Sequence, residues 1–70
     1  MKVAIKWMDA NECVGNCEVG YFEAVRILKA ETAIEESAIA LLLCRMCSER
    51  DAAMETTDGN YVLVIHKVEE

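Results

Sequence analysis

Residues 32–50, TAIEESAIALLLCRMCSER, decide how the rest of this 70-residue chain is interpreted. The first four, Thr32 to Glu35, have the S/T-x-x-E form of a capping box. In a capping box, the threonine and glutamate side chains each accept a hydrogen bond from the other residue's backbone amide at a helix start. The residues that follow are rich in Ala, Leu, Met and Glu, with no Gly or Pro. The stretch therefore predicts a helix over residues 33–50.

The segment before this helix is ambiguous when taken alone. Residues 21–30, YFEAVRILKA, mix the aromatic and β-branched side chains of strands with the Glu, Ala and Leu typical of helices. Because the capping box starts the helix at Thr32, residues 21–30 are predicted to be a strand. Residues 9–20 are predicted to be a loop, because turn-forming residues recur throughout them. These residues are Asp9, Asn11, Gly15, Asn16 and Gly20.

Two further strands are predicted from alternation and composition. Residues 2–8 place Val3, Ile5 and Trp7 on one side, which is the period of a half-buried strand. Residues 61–68, YVLVIHKV, consist mostly of strand-forming side chains. A turn signal, Asp-Gly-Asn, precedes the last strand. The sequence leaves open whether residues 54–57 extend the helix or pair with residues 61–64 as a short hairpin.

This order of elements predicts a single α+β domain over residues 1–70. The expected arrangement is ββαβ, a small, mainly antiparallel three-stranded sheet with one helix packed on it. The first strand is expected in the middle, antiparallel to both neighbours. The last strand is then parallel to the second, because the helix returns the chain by a right-handed crossover.

Charge and hydropathy exclude several function classes. The net charge of −6 disfavours direct nucleic-acid binding, which depends on neutralising phosphates with cations. The longest uncharged apolar run, residues 38–44, is far shorter than the roughly 20 residues of a membrane span. Lys6 falls too early for a signal-peptide core. The chain is therefore expected in the cytoplasm, where its cysteines are reduced.

Both predicted surfaces of the fold carry apolar side chains. The last strand has Leu63 and Ile65 on one face and Val62 and Val64 on the other, although a sheet covered by one helix needs only one apolar face. The helix adds a seam of small side chains spaced three and four residues apart. The seam contains Ala33, Ser37, Ala40, Cys44 and Cys47. These patterns predict a homo-oligomer with Val62, Val64, Ala40 and Cys44 at its interface.

The four cysteines, Cys13, Cys17, Cys44 and Cys47, have three alternative roles. In the expected topology both pairs lie at the same end of the fold, where four thiolates suit one structural Zn²⁺. The spacings argue against zinc, because no knuckle glycine follows Cys17 and the second pair lies late in a helix. A disulfide or redox role is disfavoured for the same late position. We therefore predict that the cysteines pack as small apolar side chains, with no metal and no cofactor.

The sequence lacks a grouping of catalytic residues. His66 is the single histidine, with no motif around it, and the three glycines are scattered rather than gathered in a phosphate-binding loop. The chain is therefore expected to be a non-enzymatic protein-interaction module, of adaptor or inhibitor type, that self-associates and binds a protein partner. The alternative is a small structural zinc protein that uses the four cysteines.

Overall fold

The computed structural model describes residues 1–68 and shows two layers, an antiparallel four-stranded sheet and two helices packed on one of its faces. The elements in chain order are β1 (Lys2–Asp9), β2 (Glu12–Gly20), α1 (Tyr21–Thr32), α2 (Glu36–Glu49), β3 (Asp51–Glu55) and β4 (Val62–Val68). The α+β class is confirmed. The expected count of three strands and one helix is wrong, because the sheet has a fourth strand and the helical layer a second helix.

The sheet order is β2-β1-β4-β3, with every neighbouring pair antiparallel. As predicted, β1 lies inside the sheet and runs antiparallel to both of its neighbours. Lys2 pairs with Val68 of β4, and Met8 pairs with Val62. The first and last strands of the chain therefore form the centre of the sheet.

The loop predicted over residues 9–20 is wrong, because most of it is the edge strand β2. The actual turn between β1 and β2 is Ala10–Asn11, and Ala10 adopts a left-handed φ of 55°. Gly15 lies opposite Trp7, where a Cβ would stand 3.8 Å from the indole ring. A side chain there would make only an ordinary van der Waals contact with the indole, and the glycine does not break the strand.

The strand predicted over residues 21–30 is also wrong, because this segment is helix α1. Ala24, Leu28 and Thr32 follow the four-residue spacing of one helix face and are all buried. Thr32 is the last residue of α1 and does not cap the next helix. Its hydroxyl donates a 2.6 Å hydrogen bond to the Leu28 carbonyl. The predicted capping box does not form, because the N-cap of the next helix is Glu35 and not Thr32.

The helix predicted over residues 33–50 is confirmed as α2, with a later start. Glu35 is its N-cap, and the Ile39 amide donates to the Glu35 carbonyl at 3.0 Å without any side-chain capping bond. Ile39, Leu43 and Met46 form the buried stripe at the four- and three-residue spacing of an amphipathic helix. Neither helix of residues 1–68 is long and apolar enough to cross a membrane.

Residues 54–57 belong mainly to a hairpin and not to the helix. Strand β3 pairs with β4, with Glu55 opposite Val62. In the turn that follows, Asp58 accepts a 2.7 Å hydrogen bond from the Thr56 hydroxyl and a 3.0 Å bond from the Asn60 amide. The turn is tied to the end of α1, because the Thr57 amide donates to the Glu31 carbonyl at 3.0 Å.

The core lies between the helices and one face of the sheet. Both helices contribute to it together with the two central strands, so it forms a single apolar cluster. Its fully buried members are Val3, Ile5, Ala24, Leu28, Ile39, Leu43, Met46, Leu63 and Ile65. The other face of the sheet contributes none of these side chains.

Candidate functional site

The surface of greatest interest is the sheet face that the helices do not cover, called the open face below. It consists of the even-numbered residues of β1 and β4 and the odd-numbered residues of β3, with Asn16 and Glu18 of β2 beside them. Within residues 1–68 no helix packs against this face. Its composition therefore shows what a binding partner would meet.

Three valines lie along β4 on the open face, with His66 between Val64 and Val68, and are called the valine stripe below. Val62 is 38% exposed, and Val64 and Val68 are half-buried by their strand neighbours. Met8 lies directly opposite Val62, and its half-buried side chain widens the apolar surface. Two of the four predicted interface residues, Val62 and Val64, thus lie together on one accessible surface.

Charged and polar side chains border this valine stripe. Lys6 lies on the central strand β1 directly opposite Val64, and Glu18 lies on the edge strand β2. Both line a depression of about 270 Å³ above the small side chain of Ala4. Asp51 and Glu55 lie on the β3 side. The open face therefore has carboxylates on both edge strands and the valine stripe at its centre, with Lys6 beside the stripe.

The other two predicted interface residues lie on a different surface. Ala40 and Cys44 are exposed on the side of α2 that points away from the sheet. Because the valine stripe is on the opposite side of the molecule, one two-fold contact cannot bury both sets. The prediction joined two surfaces that the fold separates.

Two exposed apolar side chains on the helices were missed by the sequence analysis. Leu41 is 68% exposed beside Ala40, and Phe22 is 86% exposed near the start of α1. Phe22 packs its ring edge-on against Tyr21, with the ring centroids 5.5 Å apart. A helical reading of residues 21–32 would have identified Phe22, since at about 100° per residue it falls outside the arc of Ala24 and Leu28.

The cysteines do not converge at one end of the fold, so that prediction is wrong. Cys13 pairs with Met8 near the β1–β2 turn, whereas the Cys47 Sγ lies 3.5 Å from the Met1 Sδ at the opposite end of β1. The reason is the unforeseen helix α1, which reverses the direction in which α2 runs. Among residues 1–68, no three His, Cys, Asp or Glu side chains cluster to hold a metal ion.

Packing in the core accounts for only one of the four cysteines. Cys17 is half-buried opposite Ile5 and packs against the core. Burial raises the pKa of the Cys17 thiol, and the negative charge of Glu23 raises it further. Cys13, Cys44 and Cys47 are exposed free thiols, so the predicted packing role is wrong for these three.

His66 is a sheet-face residue, as predicted. It lies on β4 between Ala4 of β1 and Asp51 of β3, and its side chain is half-buried. It also lines a hollow of about 350 Å³ at the Met1 end, where the last turn of α2 meets the sheet. Cys47, Arg50 and Lys67 line the same hollow.

The negative charge is concentrated at the end of the molecule that holds the three connecting turns, called the turn end below. Lys29 lies there and forms an ion pair with Glu36 at 3.9 Å. Hydrogen bonds from Thr56 and Asn60 lower the pKa of Asp58, so this carboxylate stays charged. The carboxylates of the turn end are Asp9, Glu12, Glu31, Glu35, Glu36, Glu55 and Asp58.

Comparison of the chain with protein-family models, with curated proteins and with solved structures gave no match.

Proposed function

We propose that the chain is a small, non-enzymatic, cytoplasmic protein-interaction module, of adaptor or inhibitor type, that forms a homodimer through its open face. The observation that carries the proposal is the valine stripe on β4. Val62, Val64 and Val68 present β-branched apolar side chains on a sheet face without a covering layer in residues 1–68. A second copy would supply the missing layer, as one sheet covers another in a sandwich.

The size of the molecule supports a contact over the whole face. The two longest dimensions of the chain are 28 and 25 Å, so a complete face presents at most roughly 700 Å². Two such faces together reach the range of about 1,200–2,000 Å² that stable protein interfaces bury. A contact limited to one edge strand would bury much less.

The arrangement of charge on the open face also fits an interface. Protein interfaces typically have an apolar centre from which charged residues are depleted, and a polar rim that stays solvated. Here the carboxylates lie on the edge strands, Glu18 on β2 and Asp51 on β3, whereas Lys6 lies opposite Val64 on a central strand with its long side chain exposed. The dimer would therefore bury the stripe and leave most of the charges at the rim.

The turn end supports a basic protein surface as the binding partner. Its carboxylates lie on three connections, and the Thr57 hydroxyl and amide, which both donate to the Glu31 carbonyl, tie the β3–β4 turn to the end of α1. Electrostatic complementarity of this kind speeds association and selects among partners. The same charge disfavours a nucleic acid as the direct ligand.

Dimerisation is tested by the mass in solution from light scattering at micromolar concentration. The wild type is expected at twice the 7.8 kDa of one chain. Val62→Lys and Val64→Lys place a charge in the stripe and are expected to give the monomer mass. Ala40→Glu is the matched control, because it adds a charge on the opposite surface, and it should remain dimeric.

Two results would contradict a dimer formed through the open face. A wild-type mass of one chain would exclude self-association at that concentration. A dimer that persists in both valine variants but dissociates in Ala40→Glu would move the interface to α2. Circular dichroism of each variant separates dissociation from unfolding.

The partner is tested by affinity capture from the native host, followed by mass spectrometry. Charge reversal at Glu35 and Glu36, both exposed, should abolish capture of a basic protein. The same substitution type at Glu49, which lies at the other end of α2, should leave capture unchanged. Equal capture by both variants would argue against the turn end as the docking surface.

A further inference from the structure

The cysteine pair on α2 is the feature that neither the core nor the open face accounts for. Cys44 and Cys47 are both exposed and both reduced. Cysteine is among the most often buried residue types, and an exposed thiol is usually explained by its chemistry and not by packing. The pair therefore needs a role outside the hydrophobic core.

The two thiols occupy neighbouring positions on the helix surface. Residues three apart on a helix have Cβ atoms roughly 5–6 Å from each other, so one ion can contact both sulfurs. A third sulfur is already present, because the Met1 Sδ accepts a 3.5 Å hydrogen bond from the Cys47 Sγ. The Met1 thioether, just before β1, and the Cys47 thiol on α2 are thus in contact, and Cys44 lies about one helical turn from Cys47.

We propose that Cys44, Cys47 and Met1 form a binding site for a Cu(I) ion. Thiolate and thioether sulfurs are soft ligands, and among biological metals they select Cu(I). Structural zinc almost always takes four ligands in a tetrahedron, and residues 1–68 bring together no group of even three His, Cys, Asp or Glu side chains. Cu(I) accepts the lower coordination number of about two or three that these sulfurs provide.

The charge around the site matches the complex that forms. On binding, the two thiols release two protons and the copper keeps its oxidation state, so the bis-thiolate complex carries one negative charge. Arg50 and Lys67 line the hollow beside Cys47. Asp51 lines the same hollow, so two cations and one carboxylate lie beside the complex in a chain that is otherwise acidic.

The site is independent of the proposed dimer. It lies on the outer side of α2 and at the Met1 end, whereas Val62 lies at the turn end of the open face. Val62→Lys, which is expected to dissociate the dimer, should therefore leave Cu(I) affinity unchanged. Loss of dimerisation and loss of Cu(I) binding can therefore be distinguished from each other.

The test is an anaerobic titration of the whole chain with Cu(I) against a chromophoric chelator of known affinity. The expected result is one Cu(I) per chain. Cys44→Ser and Cys47→Ser should each weaken binding by at least about 100-fold, since even the loss of a group that only orients a metal ligand costs about 10–100-fold. Cys13→Ser is the matched control, because Cys13 is also an exposed thiol, and its Cu(I) affinity should equal that of the wild type.

The thioether is tested separately. With two residues added before position 1 so that translation starts upstream, Met1→Leu is compared with the equally extended wild type. The expected loss is about tenfold, as for the weaker of the ligands. X-ray absorption of the wild-type complex should show sulfur as the only first-shell scatterer.

The proposal is overturned if Cys44→Ser or Cys47→Ser binds Cu(I) as tightly as the wild type. It is also overturned if Cys13→Ser weakens binding to the same extent, because any thiol would then suffice. Unchanged affinity in Met1→Leu removes the three-sulfur site. All three cysteines are exposed, so serine replaces them without a cavity, and circular dichroism verifies that each variant is folded.

Discussion

The two faces of strand β4 both carry aliphatic side chains, but they differ in how far they are buried. Leu63 and Ile65 are fully buried under the helices, whereas Val62 on the other face is 38% exposed. The composition of the strand does not distinguish these faces, because both are aliphatic. What distinguishes them is the helical layer, which lies on one side only. An apolar segment can therefore be predicted as a strand from its sequence. The same sequence does not show which face of the strand the rest of the chain will cover.

Shortening a covered side chain should have the largest effect. Ile65→Ala removes buried methyl and methylene groups and leaves a cavity, so we expect the free energy of unfolding to fall by about 2–5 kcal/mol. Val64→Ala, one residue away on the open face, should cost less than about 1 kcal/mol in the isolated subunit. Urea denaturation of both variants at a concentration below dimerisation measures the difference. Equal losses would mean that the two faces are equally covered.

The turn between β3 and β4 keeps each β4 residue on its own face. A slip of one residue in this hairpin would exchange the two faces, since the side chains of a strand alternate. The Thr56 hydroxyl donates to Asp58 and accepts a 3.2 Å bond from the Tyr61 amide, and Thr56 is buried. Thr56→Ala leaves the Tyr61 amide without this partner, so we expect unfolding to require about 1–3 kcal/mol less.

Thr57→Ala is a matched control for the turn, because the Thr57 hydroxyl is exposed and donates to the Glu31 carbonyl at 3.2 Å. We expect it to cost less than Thr56→Ala, because water replaces an exposed bond. Chemical denaturation measures both variants. A larger loss in Thr57→Ala would show that docking to α1, and not the internal turn bonds, holds the hairpin.

Thiol reactivity should separate the covered face from the exposed surfaces. Cys17 faces the helices, and burial followed by the charge of Glu23 raises the pKa of its thiol. The thiolate is the reactive form, so at neutral pH we expect alkylation of Cys17 at least about tenfold more slowly than that of Cys13. Mass spectrometry of time points after iodoacetamide addition measures both rates. Urea should remove the difference, and persistence of the difference in urea would refute burial as its cause.

The smallest expected effect is the pH dependence that Asp58 adds to the turn. Hydrogen bonds lower its pKa in the folded chain, so the folded state favours the charged form. The stability that Asp58 contributes is fully present above the unfolded-state pKa of about 3.9, and it is lost as the pH falls through the lower folded-state pKa. Asp58→Asn should therefore show a slightly flatter decline of stability below about pH 4 than the wild type. An identical acid profile would show that Asp58 adds nothing.

Strands β1 and β4 and helix α2 were predicted from the sequence, because their periodic patterns extend over many residues. Strand β2 was missed because its glycines and Asn16 resemble turn residues, although an edge strand opposite Trp7 accommodates them. Helix α1 was missed because a four-residue capping pattern at Thr32 outweighed the spacing of Ala24 and Leu28. In the folded chain, that threonine bonds backward to Leu28 instead.

The candidate surfaces were also predicted only in part, because local patterns could be identified from the sequence and long-range contacts could not. Val62 and Val64 could be identified because alternation in a strand is a local property. The contact of Cys47 with Met1 could not, because it depends on the direction in which α2 crosses the sheet. That direction follows from the presence of α1. The misassignment of α1 therefore placed both cysteine pairs at one end in the predicted fold, whereas it did not affect the prediction of the valine stripe.

The pairing of β1 with β4 has a consequence for how the chain folds during synthesis. The β1–β2 hairpin is local and forms early, but the other side of β1 must wait for β4, about sixty residues later in the chain. Such distant pairing slows folding. Until β4 leaves the ribosome, β1 presents an unpaired and apolar edge that other nascent chains can join. A chain whose translation stops before residue 62 is therefore expected to aggregate. In a chain completed through β4, the last strand pairs with β1 and completes the centre of the sheet.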